Sequence, residues 1–415
     1  MSYRICARLD NRRGFLVLLA AFMLGMQGCG SGDGAGDAPA AITLTSDSSP
    51  IQSFGLHVHS PLRNWPSVPF RYWRVWDSGV DWSRIETARG QFNFSLLDQY
   101  VSLAGQHNVR LIYVLGNTPR WASQDPSHIG TQGVAGATAP PADIAIWQEF
   151  VSAVAGRYKG RIYAYEVWNE ANLDGYWTGS QDDMVAMVRV AHDTIKRIDP
   201  AAFVLAPSIV GGGGMDYLSE FLSKAAGSLD AVPFHLYYTN KMPEKAVKFY
   251  RQALSIAAQA GKDIWDTEDG WGPWGSFDNE QDAAAYLARN LILQSAAGVK
   301  VIVWFAWDDR GPWVHLYLVE SDFQTPAPAA QAFEQVQSWL AGKTLTCSSD
   351  STGTWQCAVS TATGAHTYIV WNSQGSATFQ VPAEWKARSL TRLDGSQTSV
   401  GASVSISTSP VLLGP

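Results

Sequence analysis

The apolar positions of this chain change period repeatedly between residues 51 and 342. Short runs rich in β-branched and aromatic residues lie at 52–58, 71–77, 109–115, 162–168, 203–206, 231–237, 263–267 and 299–305. Their length and composition are those of buried strands. The stretches between them carry apolar residues at helical spacing. Leu97, Tyr100, Val101 and Ala104 follow the i, i+3, i+4, i+7 pattern. Ile144, Trp147, Val151 and Val154 form a second stripe, and Met184, Met187, Val188, Ala191 and Ile195 a third. The link at 60–70, between the first two strands, is Pro-rich and not helical in pattern. This alternation predicts an α/β fold, a (β/α)8 TIM barrel. A doubly wound open sheet is the competing topology, but no Gly-rich phosphate loop follows any of the strands. Gly211 to Gly214 lack the spacing and the Lys of a nucleotide site and read as a flexible loop.

After Gly342 the pattern shifts to two-residue alternation, as in Thr367-Tyr368-Ile369-Val370-Trp371, with turns at Gln374-Gly375 and Asp394-Gly395. Residues 343–415 therefore read as a small antiparallel β-domain. It either covers one face of the barrel or binds sugar through Trp355 or Trp371. Cys347 and Cys357 are expected to pair across a hairpin, since two Cys with no nearby His make a poor metal site.

The N-terminus reads as a targeting segment. Arg4, Arg8, Arg12 and Arg13 precede an apolar run from Phe15 to Met26 that is too short to span a bilayer. Gln27-Gly28-Cys29 then follows. A small residue before Cys at this place resembles a bacterial lipoprotein processing site, although Met26 and Gln27 depart from the usual pattern. The expectation is a signal peptide at 1–28, a lipid anchor at Cys29 and a flexible tether over 29–50, with ordinary cleavage and secretion as the alternative. The protein would then be exported, as an outer-membrane or cell-surface lipoprotein, or otherwise periplasmic or secreted.

The chain has 415 residues, 46% hydrophobic and 16% charged, with a formal charge of −7 and 18 Trp. Removing residues 1–28 would make it three charges more acidic. That balance disfavours nucleic acid as a partner, and a monomer is expected. The Trp count suits both cores and sugar-binding faces.

Two of the strands end on a glutamate. One closes Tyr163-Ala164-Tyr165-Glu166-Val167-Trp168-Asn169-Glu170, and the other lies within Asp263-Ile264-Trp265-Asp266-Thr267-Glu268-Asp269-Gly270-Trp271. Reactive groups of such barrels sit at the C-terminal ends of the strands. Two carboxyls across the mouth supply what a glycoside hydrolase needs, one as acid and one as nucleophile. Trp168 and Trp177 offer the apolar cover that would keep one carboxyl protonated, and Arg74 offers the charge that would keep the other ionised.

Trp168-Asn169-Glu170 resembles the Asn-Glu signature of glycoside hydrolase clan A, and Asp263 to Trp271 resembles the clan's nucleophile strand. Arg71-Tyr72-Trp73-Arg74-Val75-Trp76-Asp77, followed by Phe92-Asn93-Phe94 and Leu97-Asp98, resembles the family 39-like branch. The resemblance covers roughly residues 51–340. It implies a retaining β-glycoside hydrolase acting on a poly- or oligosaccharide without a cofactor. Glu170 would be the acid/base and Glu268 the nucleophile. Asn169 would contact the sugar 2-hydroxyl, Arg74 would stand beside the nucleophile, and His235 and Tyr237 would form a hydrogen-bonding pair. Trp304, ahead of Trp307, would be the eighth-strand floor. His57 on the first strand and Asn117 after the third complete the substrate-binding candidates. Trp121, Trp271, Trp274 and Trp313 are possible stacking surfaces around the long loop to Pro141 and the later loops. Two positions depart from the pattern. Ala171 stands where Pro often follows the Asn-Glu pair. Asp266 stands where an apolar residue is usual, and simple alternation points it inward beneath Glu268.

Two other readings remain. His57-Val58-His59, His235 and Asp308-Asp309 partly match a barrel metallohydrolase of the amidohydrolase type, but the fifth strand supplies no His, and no metal is expected. The other is a polysaccharide-binding lipoprotein without catalysis.

Overall fold

The computed structural model describes residues 41–45, 54–272, 275–308 and 314–415. The expected signal peptide, Cys29, Trp274, Asp309 and Trp313 lie outside them.

Eight parallel strands run in chain order: β1 (Gly55–His57), β2 (Tyr72–Val75), β3 (Arg110–Leu115), β4 (Ala164–Val167), β5 (Phe203–Leu205), β6 (Ala231–His235), β7 (Asp263–Gly270) and β8 (Val301–Phe305). Each pairs with its successor, and β8 returns to β1 through Val303–Gly55 and Trp304–Leu56, which closes the barrel. Long helices follow every strand from β2 onward: α1 (Ser95–Gln106), α2 (Ile144–Arg157), α3 (Gln181–Ile198), α4 (Gly214–Ala225), α5 (Val247–Gln259), α6 (Glu280–Ala297) and α7 (Pro328–Leu340). The link after β1 is non-helical, as its prolines predict.

The helical stripes are the buried faces. Leu97, Tyr100, Val101 and Ala104 are buried on α1, and Met184, Met187, Val188, Ala191 and Ile195 on α3. Ile144, at the first position of α2, is instead exposed, one residue past the cap made by Asp143. Alternation along the strands sorts two layers. Tyr72, Ile112, Ala164, Leu205, Ala231, Trp265, Val301 and Val303 form a separate cluster that fills the barrel interior. Their neighbours, such as Trp73, Leu111, Ile264, Ile302 and Trp304, join the layer between barrel and helices. Two glycines permit close approach inside this frame. A Cβ on Gly55 would lie 2.7 Å from the Tyr72 carbonyl oxygen, and one on Gly270 would lie 2.3 Å from that of Phe305.

The C-terminal region forms an antiparallel sheet led by Thr344–Ser349, Thr354–Ser360 and His366–Asn372. Cys347 and Cys357 are register partners in its first hairpin and are joined by a disulfide. The expected tether at 29–50 needs correction at its end. Thr43–Thr45 is a strand that pairs with Thr346–Ser348, because its backbone donors and acceptors complete the exposed edge of that sheet. The sheet docks beside α6, which explains why that helix is buried almost all round. Trp355 and Trp371 are not sugar platforms. They stack on each other at 5.4 Å and are buried, and the Trp371 indole N–H donates to Glu244 at 2.8 Å. Among the described residues no helix is long and apolar enough to cross a membrane.

Candidate active site

The two strand-end glutamates meet at the mouth of the barrel. One carboxylate oxygen from each of Glu170 and Glu268, with a ring nitrogen of His235, lie within 4.8 Å of one another. Carboxyls about 5–5.5 Å apart are the arrangement for hydrolysis through a covalent intermediate.

Glu268 reaches the mouth because β7 is bulged. Asp266 pairs with Ile302 and Asp269 with Trp304, so three steps on β7 face two on β8. Trp265 points into the barrel interior, and regular alternation would then turn Glu268 outward. The extra residue turns it inward. The same shift corrects the expectation for Asp266, which is on the outer face and not beneath Glu268. One Asp266 oxygen accepts from the Leu236 backbone N–H at 3.2 Å, and the other is buried. Asp269 lies on the same outer side and accepts from Asn290, from Gln294 at 2.5 Å, and from the Gly270 N–H at 2.7 Å.

Glu170 is presented by a tight turn after β4. Trp168 and Glu170 both adopt left-handed backbone, with φ of 80° and 46°, conformations that cost energy for such side chains. Ser208 holds the turn. Its N–H donates to the Trp168 carbonyl at 3.1 Å, its Oγ accepts from the Glu170 N–H at 3.0 Å, and its carbonyl accepts from the Ala171 N–H at 3.0 Å. The Trp168 indole donates to the Tyr176 carbonyl at 2.9 Å, and Trp177 packs edge-on against it.

The two carboxyls have different surroundings. Arg74 donates to Glu268 from Nη1 at 2.7 Å, and the Tyr237 hydroxyl donates to its other oxygen at 3.1 Å. Glu170 has His235 Nδ1 at 2.9 Å and, among the described residues, no Lys or Arg ion pair. Burial, and then the charge of Glu268, push the Glu170 carboxyl well above the usual carboxylate range. Burial raises Glu268 also, but Arg74 and Tyr237 pull it back. Glu268 is thus the group built to stay ionised and Glu170 the group built to keep its proton. Burial and the Arg74 charge hold His57 and His235 well below their ordinary values, so both rings are neutral.

Arg74 organises the centre. Besides Glu268 it donates to Asn169 Oδ1 at 2.7 Å and to both oxygens of Glu166, through Nε at 3.0 Å and through Nη2. His57 Nε2 faces the Thr267 carbonyl at 3.2 Å and lies 4.0 Å from Glu268. Arg74, Asn169, His235, Tyr237 and His57 therefore surround the two glutamates. Asn117 stands apart from them and donates to the Gln132 side-chain oxygen. Trp304 does not face the mouth. Alternation places Val303 and Phe305 inside, and Trp304 packs outward with its indole N–H 3.4 Å from the Leu316 carbonyl. Phe305 takes the inner position, edge-on to His57 and His59. Trp307 is buried, and among the described residues its indole N–H has no hydrogen-bond partner.

Glu170, His235 and Glu268 have the spacing of a metal site, but Arg74 already places a cation on Glu268. Among the described residues, His59 Nδ1 lies 3.6 Å from Asp308, but neither belongs to the cluster of Glu170, His235 and Glu268. The Asp308 oxygens accept from the backbone N–H groups of His59 and Ser60 at 2.8 and 2.7 Å.

Sequence reasoning passed over Glu166, Ser208, Asp77, Gln132 and Tyr176. Glu166 was detectable as a charge at an inward position of a buried strand. Ser208 and Gln132 act from loops, where no period marks them.

The chain matches two family models: Glycosyl hydrolase family 10 over residues 76–196 and Glycosyl hydrolase catalytic core over 167–333. It is 27% identical over 177 residues to a β-xylosidase of Geobacillus stearothermophilus, covering 40% of this chain and 34% of that protein. It is 34% identical over 207 residues to endo-1,4-β-xylanase B of Humicola insolens, covering 46% of this chain and 54% of that one. The chain thus spans less than two thirds of the length of these relatives. Among solved structures, a family 39 glycoside hydrolase from Bacteroides cellulosilyticus WH2 shares the fold, with a TM-score of 0.70 and 18% identity over 88% of this chain and 81% of that one. The family 39 enzyme of Xanthomonas axonopodis pv. citri does so with a TM-score of 0.60 and 17% identity, over 88% of this chain and 94% of that one.

Proposed function

We propose that this chain, whose barrel matches glycoside hydrolase models and has the fold of family 39 enzymes, is a retaining β-glycoside hydrolase acting on a poly- or oligosaccharide. The observation that carries the reading is the pairing of Glu170 and Glu268 across the mouth in unequal electrostatic settings, Glu170 raised the further and Glu268 held back by Arg74 and Tyr237. Glu170 protonates the leaving oxygen while Glu268 attacks the anomeric carbon, forming a glycosyl–enzyme ester and releasing the aglycone as an alcohol. Glu170, now ionised, takes a proton from water as that water attacks the same carbon, which frees the sugar with its configuration retained and restores both carboxyls. Asn169, oriented by Arg74, is placed to bond the sugar 2-hydroxyl, and Tyr237 steadies the nucleophile until it attacks.

β-1,4-Xylan and xylo-oligosaccharides are the first substrates to test, since xylanases and a β-xylosidase are among the relatives. A reducing-end assay across polysaccharides identifies the substrate, and NMR of the first-formed anomer reads the stereochemistry. Glu268→Ala is expected to abolish turnover with folding intact. Glu170→Ala is expected to lose activity chiefly on substrates with poor leaving groups. Full activity of both variants, or an inverted product, defeats the reading.

The proposed site of action is outside the cytoplasm, on a lipid anchor at Cys29, supported by the basic and apolar run before it. Metabolic labelling with a fatty acid, lost in Cys29→Ala, tests this.

A further inference from the structure

Asp77 lies three residues beyond Arg74, past the C-terminal end of β2, in left-handed backbone with φ 54°. It is exposed, unlike the other carboxyls of the mouth. One of its oxygens accepts from the Gln132 side-chain amide at 2.5 Å. Gln132 in turn accepts from Asn117, which stands past the end of β3. This relay fixes the amide orientations in one direction: Asn117 donates to Gln132, and Gln132 donates to Asp77. Among the described residues Gln132 is the one hydrogen-bond donor to Asp77, and the residue is exposed. Asp77 shares the mouth with the reacting groups. Its charge reaches the reacting groups, since it is one of the causes that raise Glu170 and Tyr176. The cost of aligning three side chains is not repaid by burial, because Asp77 ends the chain in solvent.

We propose that Asp77, held by Gln132 and Asn117, is a specificity-determining residue that accepts hydrogen bonds from hydroxyls of a sugar unit bound in the mouth. A carboxylate with one oxygen held and one open suits a neutral sugar with adjacent hydroxyls, and it repels a carboxylated sugar at the same place. The inference rests on the hydrolase reading.

Aryl β-xylobiosides, intact and with each glycone hydroxyl removed in turn, test it. Asp77→Asn is expected to raise KM about ten- to hundredfold on the intact probe, the range for losing hydrogen bonds to a charged group, with a smaller fall in kcat. Gln132→Ala should move KM the same way by less. On the deoxy probe that lacks the recognised hydroxyl, wild type and Asp77→Asn should converge. The inference is overturned, with the hydrolase reading intact, if wild type turns over these probes and both variants stay within twofold of it. It is also overturned if the Asp77→Asn penalty is the same on every deoxy probe. If wild type turns over none of them, calorimetric binding of the same probes decides. Binding weakened by Asp77→Asn supports the inference, whereas no binding, or equal binding, sinks it.

Discussion

Glu166 and Arg74 are joined edge to edge inside the barrel, with Nε and Nη2 of the guanidinium donating to the two oxygens of one carboxylate. Both side chains are fully buried. This fork leaves Nη1 of Arg74 aimed at Glu268 and spare capacity on Nη2 for Asn169, a geometry that a Lys point charge does not reproduce. Glu166→Ala would strand part of a buried cation's compensation and should cost about 3–5 kcal/mol in chemical unfolding. Glu166→Gln keeps the shape and removes a negative charge that raises Glu268. The acid limb of its kcat/KM profile should therefore move to lower pH. A limb that stays put, or moves up, would show that Glu166 does not act on the nucleophile through charge.

The pH profile follows from the two glutamates themselves. The proposed mechanism needs Glu268 ionised and Glu170 protonated, and both carboxyls titrate above their ordinary values. A bell is expected, with apparent values that belong to the pair, and with its alkaline limb well above the carboxylate range. On a dinitrophenyl glycoside, whose leaving group needs no proton, Glu170→Gln should lose the alkaline limb and keep the acid one. Removing the Glu268 charge should lower Glu170, because that charge is one of the causes of its rise. NMR titration of Glu170 in Glu268→Gln measures the direction.

Much of this was legible in the sequence, and the boundary is physical. Alternating strand and helix periods identify the barrel because burial imposes them. Both glutamates and Arg74 could be found because the reactive groups of such a barrel gather at the C-terminal ends of its strands. Three readings failed where that regularity breaks or was overlooked. The β7 bulge reverses the faces of Asp266 and Glu268, and no residue in 263–271 announces the extra step. Trp304 was favoured by motif spacing although its strand parity places it outside. Thr43–Thr45 carries little apolar pattern of its own and becomes a strand because a sheet edge is available. The Gln132–Asp77 contact joins residues 55 apart across a loop and leaves no periodic trace.

Behind β7, Asp266 and Asp269 make a buried carboxyl pair. Burial, and then the charge of Asp269, raise Asp266 well above the usual range, while burial and the charge of Glu268 raise Asp269 to about 7 against its donors Asn290, Gly270 and Gln294. The folded state thus binds protons more tightly than the unfolded one. Stability from these groups is greatest below the ordinary carboxyl value of about 4 and declines as pH rises towards 7 and beyond, since ∂ΔG/∂pH is negative wherever the native state holds more protons. Asp269→Asn removes one titrating group, so its stability should fall less steeply with pH over that window, whatever the cost of the change at low pH. Unfolding free energies at pH 5 and pH 8 for both proteins measure the slope. An unchanged slope would place the proton uptake elsewhere.

The seam between the domains turns on Glu244. Its carboxylate accepts from Arg289 of α6 at 3.0 Å to each oxygen and from the Trp371 indole at 2.8 Å. Arg289 belongs to α6, whose Asn290 and Gln294 bond Asp269 of β7, and Trp371 belongs to the C-terminal sheet, so a buried carboxylate ties the two together. Trp371→Phe retains an aromatic ring to stack against Trp355 and removes only the indole donor and part of the packed area. Loss of a hydrogen bond to a charged group costs about 1.5–3 kcal/mol, and the smaller ring adds a packing term of the same sign. Thermal unfolding should therefore shift down while kcat of the folded enzyme stays the same, because neither residue touches the mouth. Glu244→Gln in the same background tests the assignment. If the Trp371 bond to Glu244 is the link, the two substitutions will cost less together than the sum of their separate costs.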